Sequence, residues 1–165
     1  MIYLFLFIPL ALILVAFQST VLNQVTIAGG HFDLLTIFLV FLTLYGSYEL
    51  AVFSAVIMAP IADAISGLPM GVSVLPMISV ILLAHWGSKT IFGARLGWPI
   101  LVIFLGVLLG GLITALELVI LGWDLPWNEL ILRVLIPSSF LNGFAAMIIY
   151  LPITLISERR ALHLE

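Results

Sequence analysis

Cysteine is absent, which rules out disulfides and thiol chemistry. Charge is scarce: 8% of the residues are Asp, Glu, Lys or Arg, where a soluble domain carries about 25%. The basic residues form no run and the net charge is only −3, so neither a nucleic-acid surface nor a strongly charged partner is implied. The histidines, His31, His85 and His163, are too far apart to read as ligands. Metal binding is not expected, and no cofactor is implied. Gly-x-Ser-x-Gly, phosphate-loop and dinucleotide signatures are missing, so an enzyme is not expected. An intramembrane aspartyl protease needs two embedded aspartates, and only Asp63 is placed deep enough. What the chain has in excess is apolar surface: 64% of its residues are hydrophobic and its mean hydropathy is +1.38. These values predict an all-α, polytopic membrane protein.

A spanning helix needs about 20 residues. The apolar runs predict a single transmembrane domain over 1–165 with six helices, at 2–22, 31–47, 49–65, 72–86, 98–121 and 130–156. The first run is read as a retained helix. No basic residue precedes it, and Val15-Ala16-Phe17 is not a small-x-small cleavage site. Asp33 is a plausible N-cap for the second helix. Pro60 is expected to bend the third, and Pro137 and Asn142-Gly143 to interrupt the sixth.

With six crossings both termini share a side with Lys89, Arg95, Arg159 and Arg160, while Arg133 alone lies opposite. The positive-inside rule then places both termini in the cytoplasm. Tyr3, Tyr48, Trp86 and Trp98 fall at the inner boundary, and Trp123 and Trp127 at the outer one, as interfacial aromatic belts require.

The stretch 50–71, LAVFSAVIMAPIADAISGLPMG, organises the chain. Ala51, Ala55, Ala59, Asp63 and Gly67 recur every four residues and form one stripe on a helix. Small residues at this spacing let membrane helices approach closely, and Gly106 and Gly110 give the fifth helix a similar face. Either face could pack internally or take a partner; internal packing is the default for six helices. Asp63 must be bonded to something, because lipid offers a carboxylate nothing. Glu117 and Arg133 fall at a similar depth near the outer surface. A guanidinium can bridge two carboxylates, so Arg133 is expected to pair with Glu117, Asp63 or both. Two other arrangements are open. Asp63 could cap the Ser66–Gly71 turn through backbone N–H groups. Glu129, four residues before Arg133, could hold it as a local helix pair.

Three segments, taken together, resemble those of a known family: Phe17-Gln18-Ser19-Thr20 at the end of the first helix, Phe32-Asp33-Leu34-Leu35 at the start of the second, and Asp63-Ala64-Ile65-Ser66-Gly67-Leu68-Pro69-Met70-Gly71. The last is similar to an Asp-x-x-Ser-Gly-x-x-x-Gly motif carried here by Asp63, Ser66, Gly67 and Gly71. The chain resembles the MreD family, small membrane proteins of the bacterial rod-shape machinery. It departs from the family pattern at Phe32, where proline is common, and at Pro60. The resemblance implies a non-enzymatic scaffold of the inner membrane. Its fold would be similar to that of the substrate-binding subunits of energy-coupling vitamin transporters. The implied partner is MreC, whose single transmembrane helix precedes a periplasmic domain. RodA, the elongation-specific penicillin-binding protein and, indirectly, MreB filaments would join it in lateral peptidoglycan synthesis and cell-shape maintenance. A scaffold of this kind needs a helix-sized groove, for which the alanine stripe and the Gly106/Gly110 face are candidate linings. The alternative is a vitamin-type transporter subunit, which needs an internal cavity with convergent polar groups.

Overall fold

The computed structural model describes residues 2–90 and 97–162. Five α-helices come first: α1 (Ile2–Thr20), α2 (Leu34–Tyr45), α3 (Tyr48–Ser66), α4 (Val74–Thr90) and α5 (Gly97–Ile120). The last helical segment, α6, starts as one α-turn (Trp127–Glu129), passes through a π-helical stretch (Leu130–Leu135) and continues as an α-helix (Ile136–Leu162). Three of these are long and apolar enough to cross a membrane, over Tyr48–Ser66, Gly97–Ile120 and Trp127–Tyr150. Leu34–Tyr45 and Val74–Ser88 are shorter apolar helices. The chain is therefore a mostly helical membrane protein.

Local chemistry sets the helix ends. The Asp33 carboxylate accepts the Thr36 N–H at 2.9 Å and starts α2. The Ser47 hydroxyl accepts the Leu50 N–H at 3.2 Å and starts α3 just ahead of Glu49. Gly67 ends α3 in the left-handed conformation, at φ +73°, which glycine adopts without steric cost. In α6, Pro137 has no N–H to give the Arg133 carbonyl four residues back. The helix just upstream is wider, with the Ile136 N–H bonded to the Ile131 carbonyl five residues behind.

The second helix is shorter than expected. Positions 31–33 do not extend it, because Gly30–His31 pairs antiparallel with Thr26–Ile27, with Thr26 opposite His31 and Ile27 opposite Gly30. Ala28 and Gly29 make the tight turn, both at positive φ, as a two-residue hairpin favours. α6 is not interrupted at Asn142-Gly143; both residues are buried in a continuous helix.

α2 is the central helix, touching α1, α3, α4 and α5, while α5 packs most extensively on α4 and α6. Ile37 and Val40 of α2, Val80 and Ala84 of α4, Val102, Ile103 and Val107 of α5, and Ala146 and Tyr150 of α6 form one core. A second cluster joins Leu39 of α2, Ala51 and Ala55 of α3, and Ile81 of α4. Lipid is as apolar as these side chains, so close fit rather than escape from water holds the bundle. The small-residue faces provide that fit. Ala51, Ala55 and Ala59 are wholly buried. A Cβ on Gly106 would come within 3.1 Å of Val80, and one on Gly110 within 3.7 Å of Pro76. These faces are inside the bundle and do not line an external groove.

α4 continues to Thr90, so Gly87 is a helix residue rather than the start of a loop. A Cβ there would lie 1.5 Å from the Trp98 ring. Gly87→Ala must displace that ring, and overpacking of this kind costs about 1–3 kcal/mol. Thermal unfolding in detergent should show the loss, with Gly106→Ala milder because only valine methyls have to move. Of the residues that set the expected orientation, Arg95 lies outside the described residues, as do the side chains of Tyr3, Lys89, Arg159 and Arg160. Trp86 and Trp123 are exposed, and the Tyr48 ring lies 4.4 Å from that of His85.

Candidate functional site

The C-terminal ends of α1, α3 and α5 meet the N-terminal ends of α2, α4 and α6 around one chamber of about 290 Å³. Successive helices therefore run in opposite directions. Gln18 and Ser19 come from α1, Thr36 from α2, Ser66 from α3, Pro76 and Met77 from α4, Gly110 and Thr114 from α5, and Leu135 and Ser138 from α6. His31 and Asp33, from the hairpin and the turn after it, complete the wall.

Long-range hydrogen bonds clasp the hairpin over the chamber. Asn142, wholly buried on α6, accepts the Asp33 N–H at 2.7 Å and donates to the His31 carbonyl at 2.8 Å. The Ser138 hydroxyl accepts the His31 N–H at 3.0 Å. From α1, Gln18 donates to the Phe32 carbonyl at 2.6 Å and accepts the Leu34 N–H at 2.9 Å. Backbone contact is equally close: a Cβ on Gly30 would lie 2.7 Å from the Pro137 carbonyl carbon. These bonds satisfy main-chain groups that a membrane could not. Burial pushes the Asp33 carboxyl up, opposed by the bonds it accepts from Thr36.

Asp63 is wholly buried beneath the same end. One carboxylate oxygen accepts the Gly71 N–H at 2.7 Å and the Ser73 N–H at 3.3 Å; the other accepts the Ser73 hydroxyl. Its main-chain carbonyl accepts the Gly67 and Leu68 N–H groups. The Asp63–Gly71 segment is thus one built turn: Asp63 holds both sides of it, and Gly67 and Gly71 supply the positive φ values, +73° and +97°. Ser66 is exposed at the chamber rim.

The expected cluster of Asp63, Glu117 and Arg133 does not form as an ion pair. Arg133 lies 3.8 Å from Glu129, and both side chains are largely exposed, at 76% and 63%. The local i,i+4 partner wins because both groups stay in contact with solvent, whereas reaching Asp63 would bury a guanidinium against a carboxylate whose oxygens are already bonded. Glu117 keeps a buried Oε2 with no hydrogen-bond partner among the described residues. Arg133→Ala should therefore change stability by about 0.5 kcal/mol or less, as for other exposed pairs. Denaturation in detergent checks this; a loss as large as that of a buried network would show that Arg133 has a partner within the bundle.

Among the described residues no group of three or more His, Cys, Asp or Glu could hold a metal ion. Sequence reading gave no binding or clasping role to Asn142, which it took as a helix interruption, to Gln18, which it placed in a family-like segment, or to Ser138. For Asn142 and Ser138 the sequence signal is amide or hydroxyl character inside an apolar run. No family model, curated protein or solved structure matches this chain.

Proposed function

We propose that this protein is a non-enzymatic scaffold of the MreD kind, crossing the bacterial inner membrane six times with both termini in the cytoplasm. In this reading it binds MreC and, with RodA and the elongation-specific penicillin-binding protein, links lateral peptidoglycan synthesis to MreB filaments. The observation that carries the reading is the Asp63–Gly71 turn. The segment most similar to the family motif is a structural device, its carboxylate spent on its own backbone. The alternation of helix directions around the chamber supports six crossings.

Ala51, Ala55 and Ala59 are buried and Gly106 packs on Val80, so in this reading the partner does not engage the alanine stripe. In this reading the partner engages the chamber, which lies toward the outer end in the proposed orientation. A partner with one transmembrane helix followed by a periplasmic domain leaves the membrane at that level. A photo-crosslinking residue in place of His31, in native membranes, should capture a single-span protein with an extracytoplasmic domain. Capture of lipid alone would overturn docking at this site.

The chamber also favours a second reading, a vitamin-type transporter subunit. Its volume lies at the lower edge of the range for small-molecule sites, about 300–1,000 Å³.

A further inference from the structure

The chamber is graded from polar to apolar along its depth. Its wall follows the chain inward from Ser73 to Val80 and outward again from Val107 to Thr114, about 10 Å of helix rise on either side. Val80 and Val107, both buried, form the floor with Met77. Ser19, His31 and Ser66 stand at the mouth, and their hydroxyls and imidazole have no hydrogen-bond partner among the described residues. Water finds bonds at this mouth but none at the floor, where a void forfeits contacts. An apolar cavity of about 150 Å³ already binds a benzene-sized molecule, and the chamber has about 290 Å³.

Gly110 widens the lower half of the wall. Glycine inside a helix is less stable than alanine, and in membranes a close helix contact normally accounts for it. Gly106 has such a contact: its Cβ would lie 3.1 and 3.3 Å from the Val80 methyls. Gly110 does not. A Cβ there would meet Pro76 Cβ at 3.7 Å and Val80 Cγ2 at 3.9 Å, which are ordinary contact distances. Alanine would satisfy the same helix contact, so what glycine adds at 110 is space in the chamber.

From this slot and its glycine we infer that the chamber binds a small amphiphile, with a short apolar tail against Val80 and Val107 and an uncharged hydroxyl or amide head at Ser19, His31 and Ser66. An anionic head would meet the Asp33 carboxylate and no cation, since Arg133 is turned outward to Glu129. A cationic head is not called for, because both Asp33 oxygens already accept bonds from Thr36. The groups with bonds to spare are hydroxyls and an imidazole, which give and take hydrogen bonds as a hydroxyl or amide head does. The inference goes beyond partner docking: a helix, about 10 Å across with its side chains, stays outside a space of this size.

The test uses the full-length protein in lipid nanodiscs and a short alkanol carrying a photoreactive diazirine in its tail, with mass spectrometry of the adducts. Adducts are expected in the chamber segments 76–80 and 107–114. Hexanol should remove most of them, whereas hexanoate and hexylammonium at equal membrane concentration should leave them. Competition by hexanol alone marks a water-soluble ligand, and competition by a long-chain monoacylglycerol as well marks a membrane lipid; either supports the site. Gly110→Ala should weaken hexanol competition about tenfold, the lower end of what one methylene is worth in a hydrophobic pocket. Its unfolding temperature should be unchanged or higher, because alanine fits and favours the helix. His31→Ala with Ser66→Ala should erase the preference for hexanol over hexanoate. Adducts confined to exposed residues such as Phe140 and Phe144, equal competition by the charged compounds, or unchanged competition in Gly110→Ala would overturn the inference. So would a Gly110→Ala protein of lower stability, which would assign the glycine to packing. Partner capture from position 31 is a separate readout and bears on docking alone.

Discussion

Asp63→Ala should cost about 3–5 kcal/mol, because it leaves two part-buried backbone N–H groups and a hydroxyl without their acceptor, each at the lower end of about 1–3 kcal/mol per unsatisfied group. The donors are Gly71 and Ser73, and no lipid group can replace the carboxylate. For a chain of this size the loss corresponds to a drop in unfolding temperature on the order of 10 °C. Asp63→Asn retains one carbonyl oxygen for the Gly71 N–H, and Ser73 can rotate to meet its amide, so about half the loss is expected. Asp124→Ala, at an exposed carboxylate in the next outer turn, should stay within about 0.5 kcal/mol. Thermal unfolding of the three variants in one detergent ranks them. If Asp63→Ala unfolded with the wild type, the turn would not depend on the carboxylate.

Asn142→Leu should be the second most damaging change, at about 2–4 kcal/mol, and should act on the hairpin rather than the core. Leucine has the same branched skeleton and is somewhat bulkier, so no cavity opens. Three bonds vanish instead: to the Asp33 N–H, the His31 carbonyl and the Ser138 carbonyl. Two of them clasp the hairpin, and groups left unpaired there cost more than the bonds were worth. The variant should therefore show faster maleimide labelling of a Ser66→Cys thiol, together with a lower unfolding temperature. Lower stability with unchanged labelling would mean that Asn142 stabilises α6 without holding the chamber closed.

The helices were legible in the sequence because apolar runs, caps and breakers are local signals. Asp33 as an N-cap and the Ser66–Gly71 turn after the third helix could be read directly. The alanine stripe indicated close packing, but its address could not be read, since an internal face and a partner face have the same small-residue pattern. The chamber was not legible. Its clasp joins residues more than a hundred positions apart, His31 to Ser138 and Asp33 to Asn142. A two-residue strand is also too short to show alternation, so the hairpin looked like the start of a helix. Depth and guanidinium geometry pointed Arg133 toward Glu117 and Asp63, with the local Glu129 pair left open. Depth says nothing of exposure, and the solvated neighbour Glu129 needs no desolvation of the guanidinium.

The scaffold reading is tested most directly by affinity purification from the native membrane in mild detergent, with mass spectrometry of whatever stays bound. The account predicts MreC, with or without RodA and the elongation-specific penicillin-binding protein. Recovery of an ATPase pair and a small vitamin-like molecule would contradict it and make the chamber a transport site.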